Sequence, residues 1–165
     1  MDFKLEAEIN KNIEDVWEVM GNQFGDIAKW ASLSFHSKVG GASKLAAVDY
    51  GYRLLESKKG VAKHVLTTFD PVNHSLTYDV PEGTPFFVKS AKASWALTAL
   101  GENKTKLNIH FMVQLSGLLG FILAPIAKKK LGAVSDNIIE EFKYYTEHGT
   151  PHPRKLAAHK KQSKQ

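Results

Sequence analysis

Residues 117–149 read GLLGFILAPIAKKKLGAVSDNIIEEFKYYTEHG, and this stretch decides the fold. Apolar residues fall at Leu131, Val134, Ile138, Phe142 and Tyr145. Steps of three and four place them on one face of a helix. Lys128, Lys129, Asp136, Glu140, Glu141 and Lys143 occupy the opposite face. Gly149 can adopt the left-handed conformation that ends a helix, and Pro151 cannot continue one. A long one-sided helix must lay its stripe on another element. The chain before it reads mainly as strands, so that element is a sheet.

Phe3, Leu5, Ala7 and Ile9 alternate with Lys4, Glu6 and Glu8, the pattern of a strand with one buried face. Asn12 offers a helix N-cap, with Glu14 and Asp15 in the first turn where the helix dipole favours acids. Val16, Trp17, Val19 and Met20 supply the buried side of a short helix, which Gly21-Asn22 breaks. Phe24, Ile27, Ala28 and Trp30 suggest a second. From Ser34 to Val113 the helical period disappears. Strands are read at Ser34–Val39, Tyr50–Glu56, Val61–Phe69, Leu76–Val80, Phe87–Leu100 and Thr105–Gln114. Turn chemistry separates them: Gly40-Gly41, Lys58-Lys59-Gly60, Asp70-Pro71-Val72-Asn73, Pro81-Glu82-Gly83 and Gly101-Glu102-Asn103. Short turns between consecutive strands imply an antiparallel meander. The expected fold is α+β in the order β-α-α-β6-α. A curved, antiparallel seven-stranded sheet wraps around the long C-terminal helix and leaves an internal cavity between them.

The chain has 165 residues and no cysteine. That excludes disulfides, thiolate catalysis and Cys-based zinc sites. One domain over residues 1–149 is expected, followed by a basic, disordered tail over residues 150–165. Asp2, Lys4, Glu6 and Glu8 interrupt the place where a signal peptide needs its apolar core, so the expected location is cytoplasmic. The longest apolar run, Leu118–Ala127, is far short of the roughly 20 residues of a membrane span. The net charge is +5, but five of the 22 Lys and Arg, namely Arg154, Lys155, Lys160, Lys161 and Lys164, lie in the tail. The other 17 balance the 17 Asp and Glu. Nucleic-acid binding is therefore not expected, though the tail could touch an anionic surface.

Several segments together resemble one known family. Ile9-Asn10-Lys11-Asn12-Ile13-Glu14-Asp15-Val16-Trp17 is similar to its first strand-to-helix junction with a Val-Trp pair. Phe24-Gly25-Asp26-Ile27-Ala28-Lys29-Trp30 resembles its second helix with a terminal Trp. Gly51-Tyr52-Arg53, Leu66 to Asp70-Pro71 with Leu76-Thr77-Tyr78, and Glu140 to Gly149 resemble its third strand, next hairpin and final helix. The family is the START-like, helix-grip (SRPBCC) superfamily, in the branch of polyketide cyclases/dehydrases and lipid-transport proteins. The resemblance spans roughly residues 1–149 and implies a cavity for a hydrophobic ligand. It does not imply one chemistry, since members include carriers, hormone receptors and cyclases. Relatives often carry a pocket glutamate two residues before the position of Leu66; here that residue is His64.

His64 is the first candidate site residue, because imidazole titrates near neutral pH and can act as base, acid or donor in a dry pocket. Ala62, His64, Leu66 and Thr68 share one strand face, and Val61, Lys63, Val65 and Phe69 the other. Both are apolar enough to face inward. Arg53 could hold a ligand carboxylate through two N–H groups. Tyr78 and Trp95 are apolar bodies with a polar handle, and the resemblance places Trp30 at a pocket mouth. Leu119, Phe121 and Ile122 lie in a Gly- and Pro-interrupted segment that reads equally as an irregular lid or as a buried short helix without motion. Val134 and Ile138 face the cavity from the long helix. His110 falls on the outward parity. Gly149 and Pro151 separate His148 from His152, so no metal is expected, and no nucleotide motif calls for a cofactor. The expected function is binding or transport of a small hydrophobic ligand (lipid, isoprenoid or aromatic polyketide-like). The alternative is a cyclase or dehydratase in which His64 abstracts a proton and Arg53 or Tyr78 stabilises the enolate.

Overall fold

A computed structural model describes residues 1–162, apart from the side chains of Leu119, Phe121 and Gln162. The strands are β1 (Asp2–Ile9), β2 (His36–Ala42), β3 (Tyr50–Ser57), β4 (Gly60–Asp70), β5 (Ser75–Glu82), β6 (Val88–Gly101) and β7 (Lys104–Leu115). They form one sheet in the order β1-β7-β6-β5-β4-β3-β2, every neighbouring pair antiparallel. Between β1 and β2 lie helix α1 (Ile13–Trp17), a π turn (Glu18–Asn22) and a 3-10 turn (Phe24–Lys29). Helix α2 (Gly117–His148) follows the sheet, and α3 (Pro153–Gln162) follows α2. This is the helix-grip arrangement that the sequence pattern implies.

Local chemistry sets the element ends. The Asn12 side chain accepts the Asp15 N–H at 2.9 Å and so caps α1. Gly149 has φ +70° and its N–H donates to the Tyr145 carbonyl, closing α2. The β1–β7 register sets Leu5 beside Ile109 and Ala7 beside Leu107 on the inner face. The alternate positions pair Glu6 with Lys106 and Glu8 with Lys104 outside. Ile9, Val16, Leu76, Leu107, Ile109 and Phe142 form the inaccessible centre of the core. Trp30 and Trp95 meet the Phe142 ring edge-on, at centroid distances of 5.3 and 5.7 Å.

Four expectations are corrected. Gly40-Gly41 is not a turn but part of β2. The Tyr52 ring lies across both glycines, and a Cβ on either would come within 2.8 Å of it. In β4, Leu66 and Phe69 both pack on the core, because a bulge between Leu66 and Thr68 shifts the alternation by one residue. The segment around Leu118–Pro125 is not an irregular lid: α2 is continuous there, with Pro125 inside it. Ile122 projects into solvent, and the side chains of Leu119 and Phe121 lie outside the described residues.

The fourth correction concerns the tail, in which residues 153–162 are helical. Its partners lie on α2 and before β2, too far away in sequence for local reading. Arg154 pairs with Glu140 and Glu141. Lys155 is 2% exposed and donates to the Ser34 carbonyl at 2.6 Å. Glu141, assigned to the solvent face by helical period, is 1% exposed and also accepts the Ser32 N–H. Among the described residues no helix is long and apolar enough to cross a membrane.

Truncation after Thr150 leaves the Glu141 carboxylate with one N–H partner and removes the cation beside it. Arg154 is one-third exposed, so solvent screens the pair and the cost is below that of a fully buried one. A stability loss of about 1–2 kcal/mol is expected in urea unfolding. An unchanged midpoint would refute the docking of α3.

Candidate functional site

Arg53 sits on β3 at an inward position, 4% exposed. Its neighbour Gly51 lets the β2 backbone close in, since a Cβ there would lie 3.0 Å from the Ala42 carbonyl. The guanidinium is held between rings: its Cζ lies 3.8 Å from the centroid of Phe24 and 5.3 Å from that of Tyr78. Nη1 donates to the Phe24 carbonyl at 2.6 Å. Nε and Nη2 both lie against Nδ1 of His64, at 3.3 and 3.1 Å. Arginine has five N–H groups and no lone pair, so Nδ1 must be the unprotonated nitrogen and His64 carries its proton on Nε2. Among the described residues no carboxylate pairs with Arg53. Burial lowers its pKa to about 10, which still leaves it a cation at neutral pH.

His64 stacks on Tyr78, centroids 4.5 Å apart and planes within 10°. Burial first, and the neighbouring guanidinium second, push its pKa well below the ordinary histidine value. Burial raises the Tyr78 pKa, so the phenol stays protonated. The Trp95 indole N–H is buried and makes no well-aligned hydrogen bond among the described residues, although it lies near enough to the Tyr78 hydroxyl to favour the phenolate slightly. The site therefore presents a cation whose acceptors, the Phe24 carbonyl and His64 Nδ1, are both uncharged.

These groups border an enclosed space of about 20 Å³ between the sheet, the α1 turns and α2. That is room for about one water molecule. Four residues named from the sequence line it: Trp30, Arg53, Tyr78 and Trp95. Trp30 is buried, not at a mouth, because Phe142 packs against it. His64 is half-buried and reaches the site through Arg53 and Tyr78 rather than lining it. Leu66 belongs to the core cluster and Ile138 packs against it. Val134 is 40% exposed and lines a different groove, beside α3. The reading missed Met20, Gln23, Phe24 and Phe142 as lining residues. The apolar spacing of Met20, Phe24 and Phe142 was visible, but it marked them as core and did not say which core positions border a space; Gln23 gave no signal at all. His110 faces outward and pairs with Asp2.

A sheet curled around a C-terminal helix, with polar groups buried on its inner face, defines a START-like helix-grip protein. The chain belongs to the family described as polyketide cyclase / dehydrase and lipid transport, whose model matches residues 1–147. Among solved structures it is similar to a START superfamily protein from Mycobacterium smegmatis (TM-score 0.73, 12% identity, 90% of this chain and 99% of that one). It is similar also to XoxI from Bacillus cereus (TM-score 0.69, 15% identity, 88% of this chain and 94% of that one). A third is norcoclaurine synthase from Thalictrum flavum, solved with dopamine and hydroxybenzaldehyde (TM-score 0.63, 15% identity, 90% of this chain and 87% of that one). At such identities the likeness is one of fold. No curated protein sequence matches.

The lowered His64 pKa sets a pH dependence. The folded state prefers neutral imidazole, while the unfolded chain binds a proton near pH 6.5. This contribution is complete above about pH 6.5 and is lost as pH falls toward the folded-state value. The loss from this group reaches at most about 1.4 kcal/mol per pH unit. His64→Phe should flatten the stability profile between about pH 6.5 and 4.5, measured by urea unfolding at each pH. A variant profile parallel to the wild type would refute the buried neutral state.

Proposed function

We propose that this protein binds a small, mainly apolar molecule that bears one carboxylate or carbonyl oxygen, between the sheet and α2. One observation carries the reading: the Arg53 guanidinium is buried and, among the described residues, has no carboxylate partner. An uncompensated buried cation is costly. A ligand oxygen would offset that cost and could accept from Arg53 N–H groups left free by their present bonds. The Trp95 N–H, which makes no well-aligned hydrogen bond among the described residues, adds a further donor beside the same space. Aromatic walls from Trp30, Tyr78 and Phe142 suit a flat or hydrocarbon body. The enclosed volume is far below the roughly 300 Å³ and more of ordinary ligand sites. Binding therefore requires the α1 turns or α2 to withdraw from the sheet.

The enzymatic alternative draws support from the placement of Arg53 and Tyr78, where an enolate oxygen could be stabilised. It is weakened by His64. A neutral imidazole has one lone pair, and Arg53 already occupies it. Proton abstraction by His64 would first require the guanidinium to turn away.

Aromatic and branched carboxylates, each with its methyl ester, provide the test by calorimetry and tryptophan fluorescence. The acids should bind and perturb Trp30 and Trp95 emission. Charge-assisted hydrogen bonds contribute about 1.5–3 kcal/mol, so Arg53→Met should weaken the acids by roughly ten- to a hundredfold and the esters far less. Equal loss for acids and esters, or no binding by any of them, would remove the proposed anchor.

A further inference from the structure

A second concavity lies beside α3, bounded by the Ser32–Phe35 segment, the β3–β4 turn and α2, with a volume of about 560 Å³. It shares no lining residue with the space beside Arg53. Its floor is apolar: Leu33, Phe35, Val134, Ala157 and Ala158. Lys58 and Lys59 stand on the turn side and Lys161 on the α3 side, and no carboxylate is among the described residues that line it. Elsewhere on the surface Lys29, Lys63, Lys92, Lys104, Lys106 and Lys143 each meet a carboxylate, while Lys38, Lys44 and Lys89 stand in no ion pair among the described residues. Among the described residues, the three groove lysines take part in no ion pair with a carboxylate. Arg154 also borders the groove, but Glu140 and Glu141 engage it. The family match ends at residue 147, before α3 begins. The α3 wall of the groove thus lies beyond the residues that the family model matches.

We infer that this groove binds a single-chain fatty carboxylate, with its hydrocarbon along the apolar floor and its head group at Lys58, Lys59 and Lys161. The volume falls within the roughly 300–1,000 Å³ of small-molecule sites. A neutral chain would leave the lysines without a counter-charge, and a cationic amphiphile would meet three like charges. The groove is concave, so it admits one chain and not the flat face of a bilayer. Lysine recognises the carboxylate as a point charge on a flexible stem, which tolerates different chain lengths.

The test uses the full chain and calorimetry with hexanoate, octanoate and decanoate, and with decanol and decylammonium as head-group controls. Each methylene taken from water should tighten binding about three- to fourfold. Decanol should bind at least about tenfold more weakly than decanoate, and decylammonium not measurably. Replacing Lys58, Lys59 and Lys161 together by Gln should weaken decanoate about tenfold or more and leave decanol unchanged. Ala158→Trp should block both while preserving the thermal melt. In an Arg53→Met background, where the other site has lost its anchor, the groove variants should still lower decanoate affinity by the same factor. Decanoate binding that follows Arg53→Met and ignores the groove variants would overturn this site while supporting the Arg53 anchor. Equal binding of decanoate, decanol and decylammonium, or no decanoate binding at all, would overturn it and leave the Arg53 reading to its own test.

Discussion

The packing of Phe142 between Trp30 and Trp95 is the contact on which the arrangement depends. It joins the three layers of the molecule: α2, the turns after α1 and the sheet. Burying an aromatic side chain of this size contributes about 1.5–3 kcal/mol, and each edge-on ring pair adds about 0.5–1.5 kcal/mol. The same three rings form part of the wall around the enclosed space. The residue that clamps the helix to the sheet is thus also the one that keeps the space small. Any ligand larger than water must work against this contact, which couples binding to the position of α2.

Arg53 is the polar counterpart of that apolar clamp. Its three hydrogen bonds go to a carbonyl and to one imidazole nitrogen, and its charge is spread against two aromatic faces. The arrangement solves the hydrogen-bonding problem of burial without neutralising the charge. His64 is tuned by the same contact. The neighbouring cation and the dry surroundings hold it neutral, and the guanidinium fixes which nitrogen bears the proton. The pair therefore behaves as one unit, a cation with its acceptor, and not as an independent base beside an independent anchor.

Helix α3 adds a layer that the shared fold does not require. Lys155 and Arg154 reach back to Ser34 and to the acids of α2, and Glu141 in turn holds the Ser32 N–H. The segment between Trp30 and β2 is thus tied from two sides. Its order bears on the enclosed space, because Trp30 is the residue just before it.

The sequence by itself determined the element order, the antiparallel meander and the long one-sided helix. Those features rest on periods of two and 3.6 residues and on turn chemistry, all of them local. It also named Tyr78 and Trp95 as apolar bodies with a polar handle and Arg53 as a possible carboxylate anchor, while Trp30 entered through the family resemblance; none of these readings said which way the side chain points. Only the tertiary structure decided the rest. The bulge in β4 shifted the alternation that seemed to separate Leu66 from Phe69. Glu141 was assigned to solvent by helical period, yet it is buried because α3 covers that flank. His64 has its lone pair engaged because strand pairing sets it beside Arg53. In each case the deciding partner lies on another element, and periodicity carries no information about which distant residues will meet.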